Sequence, residues 1–272
     1  MQPKPLQKTS WKPTTSSAKK VGHSKPYALL KLLSYPLSVL YFLLFGVTLL
    51  VFHPIQVLAF RGLGYEAHRR SVALLNACLM GCTRVLGTSY TIKGLEHLPK
   101  NRAVILVANH QSMYDIIPII WRLRSLEPKF VSKASLGKGI PSISYNLQHG
   151  GSVLINRKDP KQAIAAIGQL GQYIEKHKRC AVIFPEGTRS RNGHPKAFQT
   201  TGLKVLMKKA PSALLLPVTI NNSWKMVRWG QFPMGLGCHI SLIIHPAQEQ
   251  AGPADAQIAA VEQQIIGAIK VS

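Results

Sequence analysis

Residues 103–115 read AVILVANHQSMYD, and their order decides the architecture. The opening AVILVA is an unbroken apolar run of strand length, as expected of a strand buried on both faces. Polar Asn109, His110, Gln111 and Ser112 follow, and over 114–124 the apolar residues return at helical spacing. A doubly buried strand that ends in a polar loop and opens a helix begins an α/β layer. Such sheets hold their sites in the loops at the carboxyl ends of strands. Working outward, the same alternation recurs. Residues 90–93, 130–132, 153–155, 180–184, 214–220 and 238–245 read as strands. Residues 160–177, opened by Pro160, and 201–209 and 254–270 read as helices. The pattern predicts one α/β layered domain with a mixed sheet over residues 89–272.

Upstream the character changes. No formally charged residue occurs over 32–60, and YPLSVLYFLLFGVTLLVF at 35–52 is about long enough to cross a bilayer core. Both flanks are basic, so charge gives no orientation. A hairpin entering and leaving on one face reconciles this, with Pro36, Gly46 and Pro54 as candidate bends. A shorter apolar run at 72–82 suits a helix in the membrane interface, with His68, Arg69, Arg70 and Arg84 reaching lipid phosphates. Residues 27–88 are thus expected to be membrane-anchoring helices. Residues 1–26 carry Lys4, Lys8, Lys12, Lys19, Lys20 and Lys25 and no acid, and read as a basic disordered arm.

Composition narrows the function. The chain is 46% hydrophobic and 16% charged, which excludes a disordered or collagen-like protein. Its formal net charge of +24 calls for polyanions: an anionic membrane face, a phosphorylated substrate or nucleic acid. Aromatic residues do not alternate with the basic ones, and no helix-turn-helix or zinc-finger spacing appears, which argues against nucleic acid. The aspartates are Asp115, Asp159 and Asp255, too few for a carboxylate-rich metal site, and no metal is expected. Cys78, Cys82, Cys180 and Cys238 show no Cys-x-x-Cys pair and are expected to be buried, reduced thiols.

Four short blocks carry chemistry. In NHQSMYD, His110 in the loop and Asp115 in the first helical turn form a base and its orienter: the carboxylate fixes one imidazole nitrogen and leaves the other to take a proton. FPEGTRS at 184–190 follows the strand CAVIF, and its Pro185 and Gly187 force a turn that displays Glu186, Thr188 and Arg189. An Arg on a fixed turn presents a planar fork suited to phosphate. GSVLINR at 151–157 delivers Asn156 and Arg157 to a strand end. LLLPVTI at 214–220 is interrupted by Pro217, which predicts a bulge or an edge.

In order and spacing these blocks resemble the glycerolipid acyltransferases, in particular the bacterial 1-acylglycerol-3-phosphate acyltransferases. The resemblance runs from about Thr88 to His245, with Asn156 standing where that family frequently has an acid. It implies transfer of a fatty acyl group from acyl-CoA or acyl-carrier protein to the free hydroxyl of lysophosphatidic acid, giving phosphatidic acid, with no cofactor beyond that co-substrate. His110 and Asp115 are then the catalytic pair. Asn109, Lys133, Asn156, Arg157, Glu186, Gly187, Thr188 and Arg189 form the substrate-binding set, with turn amides near Gly187 as oxyanion donors. The resemblance also implies a bacterial inner-membrane protein with its catalytic domain on the cytoplasmic side, in contact with anionic lipid. The competing readings are an acyltransferase for glycerol 3-phosphate or a lyso-amino lipid, and a non-catalytic membrane-anchored polyanion-binding protein. Gly-x-Ser-x-Gly, the P-loop and His-Glu-x-x-His are absent, which counts against a lipase, a P-loop kinase and a zinc protease.

Overall fold

The run at 103–108 becomes β2 (Val104–Ala108), every residue of which is buried. It lies inside a sheet of seven strands in the order β1-β7-β6-β2-β5-β3-β4. The others are β1 (Ser89–Lys93), β3 (Pro128–Lys133), β4 (Val153–Ile155), β5 (Cys180–Ile183), β6 (Leu214–Asn221) and β7 (His239–Ile244). All neighbours are parallel except β6 and β7. The structure, a computed structural model, describes residues 25–270, so the basic arm of 1–26 falls almost wholly outside the described residues.

Side chains alternate across the sheet, and each face has its own core. Val104, Leu106 and Ala108 face a layer built on α1 (Lys25–Cys82) and α2 (Ile116–Arg122). Ile105 and Val107 face α4 (Pro160–His177), α5 (Thr200–Lys209) and α6 (Ala254–Gly267) through Leu170, Leu206 and Val261. The mixed-sheet α/β domain expected from the sequence is what forms. Pro217 lies in a central strand, not at an edge. The β6 register slips by one residue between Leu215↔Gln248 and Val218↔Ile244, which is a bulge opposite the missing N–H. A short helix, α3 (Ile143–His149), was not legible in the Gly- and Ser-rich stretch that contains it.

The N-terminal helix is a hairpin, but it turns at none of Pro36, Gly46 or Pro54. Pro36 and Pro54 lie inside continuous helix, and the reversal is at Gly64, with φ 78° and ψ −167°. That is a region of backbone space essentially confined to glycine. Thr48 Oγ1 lies 3.6 Å from Cys82 Sγ, so the two arms run side by side. The longer arm is inverted relative to a helix of a soluble protein. Ser34, Ser38 and Gln56 are fully buried on the face that also buries Tyr41 and Phe52, and Ser38 Oγ accepts from the Met234 N–H at 2.7 Å. Leu32, Leu43, Leu50 and Leu58 point outward, 61–70% exposed. Among the described residues, 27–86 is the one helical stretch long and apolar enough to cross a membrane by length and composition.

Two further expectations for this region need correction. His68 is buried, packed edge-on against Phe60 and Tyr145, and reaches no lipid phosphate. Cys78 is exposed, whereas Cys180 and Cys238 are buried as expected. The i,i+4 spacing of Cys78 and Cys82 showed a shared helix side without showing whether that side packs.

Candidate active site

Parallel pairing sets the site. Among the strands in the order β2, β5, β3, β4, all neighbours are parallel, so their carboxyl ends lie along one sheet edge. β2 delivers Asn109–Asp115, β5 the FPEGTRS turn, β3 Lys133 and β4 Asn156 with Arg157. Lys133 is in register with Ile155, next to Asn156. Blocks scattered over 109–189 in sequence are thus consecutive loops in space.

At the centre, His110 Nδ1 lies 2.8 Å from Asp115 Oδ2, and the Asp115 side chain is wholly buried. Its carboxylate also accepts the Gln111 N–H at 2.8 Å and the Ser112 N–H at 3.0 Å, and the hydroxyl of Ser223 donates to its other oxygen. Ser112 caps the turn in return by accepting the Tyr114 N–H, so sequence Ser112–Asp115 is a capping box. With this many donors Asp115 acts as an acceptor, so the imidazole donates to it through Nδ1–H. Nε2 has no hydrogen-bond partner among the described residues, and the ring is stacked on Phe184 at 4.2 Å between centroids. The result is a fixed imidazole with one free, basic nitrogen.

Two residues expected to bind substrate are spent on the scaffold. Asn109 is 1% exposed: its Nδ2 donates to Ile220 O at 2.8 Å and its Oδ1 accepts the Ile220 N–H at 2.7 Å. It serves as a stand-in strand partner where β2 ends. Glu186 is 2% exposed and accepts the backbone N–H groups of His110, at 2.9 Å, and Lys196, at 3.3 Å. Its job is to clamp the FPEGTRS turn to the histidine loop, and the Ser190 N–H closes the same gap by donating to His110 O at 2.7 Å. Burial drives the Glu186 carboxyl up to about 6, against the pull of those amides.

The turn itself needs Gly187, at φ 67°, and its N–H donates to Phe184 O at 3.0 Å. That amide is therefore not available as an oxyanion donor. The N–H groups of Thr188 and Arg189 have no acceptor among the described residues. Lys196, marked by no local pattern, braces the turn by donating from Nζ to Thr188 Oγ1 at 2.8 Å and Arg189 O at 3.0 Å. Ser223 was also missed, since its role depends on β6 ending beside β2. Asn156 and Arg157 are exposed, and Asn156 Oδ1 accepts the Lys158 N–H at 3.1 Å, turning the chain toward α4. No group of three or more His, Cys, Asp or Glu among the described residues is placed to hold a metal ion.

The profile of the Acyltransferase family matches residues 89–221. A 1-acyl-sn-glycerol-3-phosphate acyltransferase of Borreliella burgdorferi is 31% identical over 57% of this chain, and the chain covers 60% of that relative. One from Pseudomonas aeruginosa is 26% identical over 84% of this chain and 86% of its own length. The crystal structure of a 1-acyl-sn-glycerophosphate acyltransferase from Thermotoga maritima superposes with a TM-score of 0.73 at 22% identity, covering 89% of this chain and 95% of that one. That likeness shows a common fold.

Proposed function

We propose, from the match of residues 89–221 to the acyltransferase family and from the His110–Asp115 pair, that this chain acylates the free hydroxyl of lysophosphatidic acid from a fatty acyl thioester. The observation that carries the chemistry is the free Nε2 of an imidazole whose other nitrogen is held by a buried carboxylate. A hydroxyl is a weak nucleophile until a base takes its proton in the transition state. His110 Nε2 removes that proton as the oxygen attacks the thioester carbonyl. A new C–O bond forms, the C–S bond then breaks, and the proton passes from Nε2 to the departing thiolate. Asp115 stabilises the transient imidazolium without taking the proton itself. The Thr188 and Arg189 amides are the candidate oxyanion donors. Arg189, Arg157 and Lys133, from adjacent strand ends, supply positive charge for the acceptor phosphate.

The outward leucines of α1 support a membrane location, because a contiguous apolar face of that length is unfavourable in water. As the resemblance of its motifs implies, we place the catalytic domain on the cytoplasmic side of the inner membrane, with acyl-CoA or acyl-carrier protein as the donor. The test is acyl transfer by purified protein with labelled acyl donors and a panel of acceptors. Phosphatidic acid made from lysophosphatidic acid in clear preference to acylation of glycerol 3-phosphate or lyso-amino lipids supports the reading. Preference for another acceptor overturns it.

A further inference from the structure

A second basic feature lies at the opposite edge of the sheet. Pro128 and Val104 are both in register with Cys180 at the start of β5, so the residues just before β3 sit at the amino ends of the strands. There the return arm of the hairpin and the end of α2 enclose an open cavity of about 490 Å³. Its lining includes Arg69 and Arg70 from the hairpin, Arg122 and Arg124 from the α2 end, and the apolar side chains of Leu74 and Trp121.

Two of these arginines are pre-positioned. Arg69 is fixed by Glu66 at 2.6 Å, with Glu127 a further 3.7 Å contact. Arg124 lies over the Trp121 ring at 4.3 Å and donates to Trp121 O at 2.9 Å. Arg70 and Arg122 make no hydrogen bond or ion pair among the described residues, though Arg70 acts electrostatically on Glu66. No acid lines the cavity. Arg70, Arg122 and Arg124 are exposed and have no ion-pair partner among the described residues, and their planar forks suit phosphate oxygens, so the cavity presents unneutralised positive charge to an anion.

We propose that this groove is a second anion site that takes a phosphate group, separate from the strand-end loops that carry His110. The hairpin contributes half of the lining, so the site joins the outward apolar helix to the catalytic layer. Leu74 is 53% exposed and Trp121 half-buried at the rim, apolar surface that would meet the glycerol and first acyl carbons if the phosphate belongs to a lipid headgroup. A free phosphate uses the same guanidinium groups without that surface.

Calorimetric titration of the full chain in detergent tests this in an Arg189→Ala background, which weakens phosphate binding at the strand-end loops. The probes are inorganic phosphate, dihexanoyl phosphatidic acid and dihexanoyl phosphatidylcholine. The expected result is binding of phosphatidic acid, at least tenfold weakened by the double change Arg70→Gln, Arg122→Gln. Added to an otherwise wild-type chain, that double change should leave acyl transfer and the melting temperature unaltered. Inorganic phosphate bound as tightly as the lipid identifies a free-phosphate source, and phosphate bound much more weakly identifies a headgroup. Binding of neither anion, equal binding of phosphatidylcholine, or affinities indifferent to the double change would overturn the proposal. Because activity is measured separately, loss of the anion site and loss of the acyltransferase reading give different results.

Discussion

His110 and Glu186 sit within hydrogen-bond reach of each other and do opposite jobs, which their variants should separate. The His110 ring makes one bond through Nδ1 and stacks on Phe184, so His110→Ala removes little that holds the fold together. Turnover should fall about 10²- to 10⁴-fold with the melting temperature nearly unchanged. Comparing turnover with thermal stability checks this, with the exposed His194→Ala as control. Substantial turnover in a folded His110→Ala protein rules out the base. Glu186, by contrast, should register in stability. Its folded carboxyl titrates near 6 against an ordinary 4.5, so protonation favours the folded state. The stability it contributes is complete below about 4.5 and is lost as pH rises through about 6, a swing on the order of 2 kcal/mol. Glu186→Gln cannot titrate. Denaturant unfolding across that window should therefore show the variant gaining on the wild type as pH rises, and a pH-independent difference would contradict the burial argument. Asn109 belongs with Glu186. Asn109→Ala strands two buried backbone groups of Ile220 and should cost roughly 2–4 kcal/mol.

At the scale of elements, the sequence was legible wherever one local pattern sufficed. The seven strands of the sheet, and the helices at 160–177 and 254–270, were found because apolar runs, periodicity and Pro160 act within a few residues. The His110–Asp115 contact was legible too, since both partners lie in one turn. What failed needed information from elsewhere in the chain. Asn109 looks like a substrate ligand because nothing local shows that it meets Ile220, and Pro36, Gly46 and Pro54 look like the hairpin bend because proline and glycine are the usual helix breakers. The actual bend makes a paired prediction. A Cβ at Gly64 would meet nothing within 4 Å, so the cost of Gly64→Ala is backbone strain alone, roughly 1–3 kcal/mol. A Cβ at Gly46 also meets nothing within 4 Å, but Gly46 lies in regular helix, so Gly46→Ala should stabilise by roughly 0.5–1 kcal/mol. Thermal melts in detergent should give shifts of opposite sign, and equal shifts would place the turn elsewhere.

For the molecule as a whole, the question is how one helix can serve two solvents. Tyr41, Phe52, Leu75 and Leu79 of the hairpin belong to the same buried cluster as Val104, Leu106 and Val182 of the sheet. Deleting the hairpin would therefore open the buried core, and loss of membrane binding in such a deletion would say little about lipid. Point changes on the two faces of α1 separate the roles. The inner face holds Ser34, Ser38 and Gln56 with no exposure, while the outer face shows Leu43 at 61% and Leu50 at 62%. Leu43→Ser with Leu50→Ser touches little of the protein and removes apolar surface available to acyl chains, about 1.5–3 kcal/mol for each leucine fully inserted. Retention on vesicles at high salt should drop, with the melting temperature in detergent held. Ser38→Leu should do the reverse: it forces a larger side chain into a packed site and removes the acceptor of the Met234 N–H, so the protein should lose stability yet still sediment with vesicles. High salt is the deciding condition, because it screens the attraction of the +24 chain for anionic lipid and leaves the apolar contribution standing. If the double leucine variant still pelleted fully at high salt, the outer face of α1 would not be the surface that meets the bilayer.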